Sequence, residues 1–492
     1  MKTTILLLAL LLLLPIQGDA DPDKIPITTT SPKALESFLR ARDLSERLQG
    51  QESIQHYEKA IAADPDFAQA HLLFSLVQPS AKAFFSTLAK ARALADQVSE
   101  GERLWILGFE AGVNGFPLKQ RQYYQQLVEL FPQDERAHNL FGNHFFGQQD
   151  YEKAITEYEK SLAINPDFSQ PYNQLGYARR FLGDFVGARE AFEKYIELIP
   201  DDPNPRDSYA ELLMKTGDYD ASITAYRKAL NLNPNFVASH IGIATNLNFK
   251  GEHAAARAQL KKLHSLARND GERRAAHFAT AVSHVDEGDL EAALKELQKQ
   301  FAIAAALDDP AAMAGDLVVR GNILLEMGRS DDALDAYQKA LDTVQASELS
   351  PEVKANNKRA FLLNSSRVAL QKDDLATARD RSDEFRRQAE EIRNPLQIRL
   401  AHELAGQIAL AVGQHDLAIA ELRQANQQNP QNLYRIAVAN LIAGGWQQAR
   451  QWCDRAAAFN ALNNINYAFI RHRAQRDLQA IDRLSKSIDA MR

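Results

Sequence analysis

The feature that most constrains this chain is a repeat: Pro132, Pro166, Pro200 and Pro234 stand 34 residues apart, and their surroundings recur with them. HYEKAIAADPDF at 56–67, EYEKSLAINPDF at 157–168 and AYRKALNLNPNF at 225–236 are copies of one helix end followed by a proline-containing turn. Small residues keep the same step at Ala154, Ala188, Ser222 and Ala256, and so do glycines at Gly183, Gly217 and Gly251. Each element has a physical reading. Gly142 and Gly176 lie on the first helix of their units, where a side chain would block close approach, and Ala154 and Ala188 do the same on the second helix. The glycine of FLGDF at 181–185 supplies the left-handed residue that ends the first helix. Proline then stops the second helix and opens the next unit.

The LG, GDY or GDF, small-residue, Tyr/Phe and Pro positions recur together over 135–268, and there the chain resembles the tetratricopeptide family. More loosely, the resemblance covers nearly all of the chain after its first residues. It implies an all-α fold: a right-handed superhelical solenoid of about twelve antiparallel helix pairs, with unit starts near 34, 68, 101, 135, 169, 203, 237, 274, 314, 359, 399 and 430. The expected divisions are degenerate pairs over 33–134, regular units over 135–270, longer irregular units over 271–461 and water-facing capping helices over 462–492. In the irregular part the small residue of the second helix recurs at Ala293, Ala333, Ala378, Ala418 and Ala449, so the insertions are expected to lengthen helices or loops without breaking the stack. Ser99 with Glu102 reads as a capping box opening the third unit.

The first twenty residues differ from all the rest. Lys2 supplies a positive charge, Ile5 to Leu14 is an unbroken apolar run, and small residues follow at Gly18 and Ala20. That is the pattern of a signal peptide over 1–20, cleaved after Ala20, and it places the mature chain in a periplasm or outside the cell. The run is shorter than the ~20 residues that span a bilayer, and no cysteine follows it to carry a lipid. Residues 21–32, with three prolines and a threonine run, read as a flexible leader. The remainder has no second stretch of spanning length.

With 45% hydrophobic and 25% charged residues the chain can build a core. Its formal net charge of −7 offers no basic excess for a phosphate backbone, so nucleic acid is not an expected partner. Cys453 is the single cysteine, which leaves no intramolecular disulfide, and it falls at a large-residue position where a buried, inert thiol is expected. The sequence holds no G-x-S-x-G elbow, H-E-x-x-H, phosphate-binding glycine loop or paired-cysteine metal spacing. His138 with His144 and His277 with His284 lack the i, i+4 spacing that sets two imidazoles on one metal. The expectation is therefore no enzyme, no cofactor and no metal. Asn364-Ser365-Ser366 matches a glycosylation acceptor, relevant only in a eukaryotic secretory pathway.

The resemblance also implies a binding wall. Positions 2, 5, 9 and 12 of each unit would face a concave groove: Arg136, Asn139, Asn143 and Phe146, then Asn173, Tyr177 and Arg180, then Glu211, then Asn248. Asparagines can hydrogen-bond an extended peptide whatever its sequence, and Tyr and Arg are the residue types that dominate interface energy. One subclass of the family grips a C-terminal carboxylate with Lys and Arg; the matching positions here are Asn139, Asn143, Gln174, Asn204 and Ser208, so that clamp is not expected. The reading is a protein-interaction scaffold of the cell envelope that binds an extended segment or helix of a partner protein. The alternative is an accessory protein for envelope-polysaccharide assembly or sensing, which would need aromatic platforms along the groove.

Overall fold

A computed structural model describes residues 22–491. The segment read as a signal peptide lies outside the described residues. Within them the chain forms 25 α-helices and no β-strand, twelve pairs and a final helix.

The first helices of the units are Pro32–Glu46, Ala68–Leu76, Glu100–Val113, Glu135–Gly147, Ser169–Leu182, Pro203–Lys215, Val237–Phe249, Asp270–Glu287, Pro310–Glu326, Pro351–Gln371, Pro395–Ala411 and Pro430–Ile442. We number the units 1 to 12 by these helices. Starts in units 2 to 7 and 12 agree with the repeat spacing to within a residue, while units 8 to 11 begin four to eight residues earlier than expected. The inserted residues went into helix length: the first helix grows from 13 residues in unit 7 to 18 in unit 8 and 21 in unit 10.

Local chemistry explains the pairs. Gly183 ends its helix at φ +83° and the next residue, Asp184, accepts a hydrogen bond from the Gly187 amide, so the Gly-Asp dipeptide both stops one helix and caps the next. Asp150 and Asp218 cap their helices in the same way. A β-carbon on Gly142 would come within 2.5 Å of Tyr158, and one on Gly176 within 2.5 Å of Phe192, so the small residue admits the ring of the partner helix. Ser99 and Glu102 form the expected capping box.

Successive first helices touch one another along most of the stack, whereas successive second helices stand further apart, so the first helices line the inner curve. The curve closes. Asn269 at the start of unit 8 donates to Gln51 of unit 1 at 2.7 Å, Lys82 of unit 2 reaches Asp308 before unit 9 at 2.9 Å, and Arg399 of unit 11 reaches Gln149 in the turn between the helices of unit 4 at 2.7 Å. Units 1 to 4 thus rest on units 8 to 11, about one superhelical turn later.

Two expectations are corrected here. Residues 24–29 of the supposed flexible leader are fastened: the Ile25 amide donates to Asp134 at 2.8 Å, the Thr28 amide to Glu102 at 2.9 Å, and Lys24 pairs with Glu135 at 2.6 Å. The capping carboxylates of units 3 and 4 have oxygen to spare, and the extended leader fills it. The C-terminal segment is likewise one helix, Ile465–Met491, where several were expected, with His472, Arg473 and Arg476 of its outer face exposed to water. It stacks as a thirteenth first helix and folds back onto unit 8, where Tyr467, Phe469 and Ile470 share a core with Val282, Val285 and Ile323.

Candidate functional site

The nine residues assigned to the groove fall into three sets. Arg136, Asn139 and Asn143 line a cavity of about 580 Å³ on the inner wall of units 1 to 5. Asn173, Tyr177 and Glu211 line a second, of about 480 Å³, in units 5 to 7. Phe146, Arg180 and Asn248 line neither. Phe146 packs edge-on against Tyr151 and Phe181, and Asn248 accepts a hydrogen bond from Ser283 while its main-chain carbonyl is held by Arg471.

Most of these side chains are already engaged within the chain. The Asn139 amide donates to Gln170 at 2.9 Å, Arg180 pairs with Glu211 at 2.7 Å, and the Tyr177 hydroxyl donates to Glu211 at 2.8 Å. Partners stand 31 or 34 residues apart because the register that turns a side chain to the inner wall also sets it beside the next first helix. The wall residues spend themselves on a ladder between units. Arg136 is closed by a two-pronged pair to Glu46 at 2.7 and 3.0 Å and by Glu135 at 2.7 Å. Two aromatic rings assigned to the wall are likewise engaged: Arg180 lies 4.7 Å over the Tyr177 ring, and Phe146 is wedged as described.

Between the chambers stands a partition that sequence reasoning missed. Leu48, Gly50, Gln51 and Arg268 line both, and Arg268 reaches across to Glu52 at 2.9 Å. No local signal marks these residues, since the contact joins positions more than two hundred apart in the chain.

Burial shapes the titratable groups. It pushes the Asp207 carboxyl up to about 7, against the hydrogen bond from Ser239. Burial, with the charge of Arg121, pulls His144 down to about 4, so its ring is neutral at ordinary pH. Burial raises the Cys453 thiol to about 11, the state of an unreactive side chain. Asn364 is buried, out of reach of a modifying enzyme.

Among the described residues one cluster has metal-type ligands, His253, Asp286 and His472. Burial raises Asp286, but hydrogen bonds from Arg471 and His253 and the Arg471 charge outweigh it and hold the carboxyl at about 2. The Arg471 Nη2 atom lies 2.6 Å from Asp286 and 3.1 Å from His472, so a guanidinium occupies the place a cation would take.

The family described as TPR repeat matches residues 142–183, tetratricopeptide repeat matches 169–202 and 207–236, and tetratricopeptide repeat-like domain matches 237–359. The chain is a tetratricopeptide-repeat protein. No curated protein matches it. Among solved structures, this tetratricopeptide-repeat chain is similar to a tetratricopeptide repeat protein from Parabacteroides merdae ATCC 43184, at 16% identity over 54% of this chain and 99% of that one, with a TM-score of 0.36. It is similar to MamA from Desulfovibrio magneticus RS-1 at 17% identity, over 34% of this chain and 96% of that one, with a TM-score of 0.29. YrrB, a TPR protein with an unusual peptide-binding site, shares 19% identity over 37% of this chain and 91% of that one, with a TM-score of 0.25. Tetratricopeptide repeats are generally a non-enzymatic scaffold that binds protein partners. No described helix is long and apolar enough to cross a membrane.

Proposed function

We propose that this tetratricopeptide-repeat protein is an exported, non-enzymatic scaffold of the cell envelope that holds an extended segment of a partner protein in the polar chamber of units 5 to 7. The observation that carries the reading is the set of amides left over there. Gln174 lines the chamber with no side-chain partner among the described residues, and Asn233 has its oxygen spent on the Asn235 amide while its Nδ2 donor is unspent. Such donors suit the carbonyls of a peptide main chain, with little dependence on its sequence. Export rests on Lys2 and the apolar run from Ile5 to Leu14.

The test is capture of a partner by residues 21–492 from an envelope extract, compared with a Gln174→Trp variant that fills the chamber. A partner held by wild type and lost by the variant supports the reading; equal capture by both would move the interface elsewhere. Intact mass of the exported protein checks cleavage after Ala20.

A further inference from the structure

The two chambers differ in character. The one on units 5 to 7 is walled mainly by amides and carboxylates, whereas that on units 1 to 5 is walled by Leu73, Val77, Trp105, Phe109 and Leu140. Two more leucines of this wall, Leu48 and Leu76, are 54% and 52% exposed, a large apolar area left against water. Covering it is favourable for any apolar occupant.

The polar groups narrow the choice. Both guanidinium groups on the wall are neutralised, Arg136 by Glu46 and Glu135 and Arg268 by Glu52 and Glu272, so no unpaired ion waits for a charged ligand. Asn143 spends its oxygen on the Tyr158 hydroxyl at 2.9 Å and Gln51 spends its own on Asn269, which leaves the amide nitrogens of both as donors without partners among the described residues. An acceptor on the occupant would meet these two donors, while Asn139 Oδ1, buried on the same wall without a partner among the described residues, could take a donor from it. The walls are held from several sides, since the Gln51–Asn269 and Arg268–Glu52 contacts tie the chamber to the next superhelical turn. A preformed apolar cavity of about 580 Å³ with a few placed polar groups has the size and make-up of a small-molecule site.

We propose that the chamber of units 1 to 5 is a binding site for an uncharged small molecule with an apolar body and a carbonyl-type acceptor that meets Asn143 and Gln51. It is separate from the polar chamber and needs no protein partner. Its test uses the neutral ketone dye 6-propionyl-2-dimethylaminonaphthalene, whose emission shifts to the blue on leaving water, and the anionic dye 1-anilinonaphthalene-8-sulfonate as comparator.

The ketone is expected to bind at one site per chain in the micromolar range, at least about tenfold more tightly than the sulfonate. Asn143→Asp keeps the acceptor for Tyr158 but removes the donor and adds a repelling charge. Leu76→Lys changes an exposed residue of the rim. Each variant, checked for unchanged helicity, should weaken the ketone about tenfold or more. The proposal is overturned by the absence of saturable ketone binding, by equal affinity for the two dyes, or by retained affinity in either variant.

Discussion

Arg180 Nη1 stands 2.7 Å from Glu211 Oε1, fastening the first helices of units 5 and 6 across the inner wall by an ion pair almost wholly out of water. Residues that resemble an interface by type are here a structural rung. Arg180→Ala should therefore strand a carboxylate and cost about 3 kcal/mol or more, read as a fall in denaturant midpoint, with Glu211→Gln in the same chain restoring part of it. An unchanged midpoint would return Arg180 to the role of a free binding residue.

Arg471 holds Asp286 through two hydrogen bonds, at 2.8 and 2.6 Å, and so ties the C-terminal helix to unit 8. Because the folded carboxyl titrates at about 2, below its ordinary value, its contribution to stability is present above about pH 4 and is lost as pH falls toward 2. Hydrogen exchange of residues 465–483, corrected for intrinsic rate, should show this helix loosening in that window before units 3 to 6, and Asp286→Asn should loosen it at neutral pH. Uniform exchange across the chain at pH 3 would contradict the clamp.

Asp207 has the opposite sign. Burial raises its folded value to about 7, so the unfolded chain ionises first and stability falls as pH climbs from about 4 to about 7. Asp207→Asn keeps an acceptor for Ser239 and should stabilise the protein by about 4 kcal/mol at pH 8 while changing little at pH 4. Equal melting shifts at both pH values would sink this assignment.

Ala188 is wholly buried at the crossing of its helix pair. Ala188→Leu should overpack the pair and cost about 1–3 kcal/mol, with faster exchange confined to units 4 to 6, since each unit contacts chiefly its neighbours in the stack. A melting temperature equal to wild type would mean that the crossing has room the structure does not show.

Much of this fold was legible because its causes are local. Gly183, Asp184, Ala188 and Pro200 act within a turn or two of themselves, and their spacing alone placed units 2 to 7. In units 8 to 11 the small residues still marked the second helices, but nothing local says whether an insertion lengthens a loop or a helix. The site was less legible. Position in the unit set Asn139 and Tyr177 on the inner wall, yet only three-dimensional register shows that Gln170 and Glu211 consume them. The partition at Gln51 and Arg268 and the return of Arg471 to Asp286 join residues about two hundred apart, through side chains ordinary on any helix.

Closure of the solenoid on itself underlies both chambers, and small-angle X-ray scattering of residues 21–492 measures it most directly. A closed superhelix should give a radius of gyration within a few ångströms of the roughly 23 Å of a compact chain of this length, and a scattering curve that matches the structure. A radius half as large again, with the profile of an open, elongated solenoid, would contradict the account.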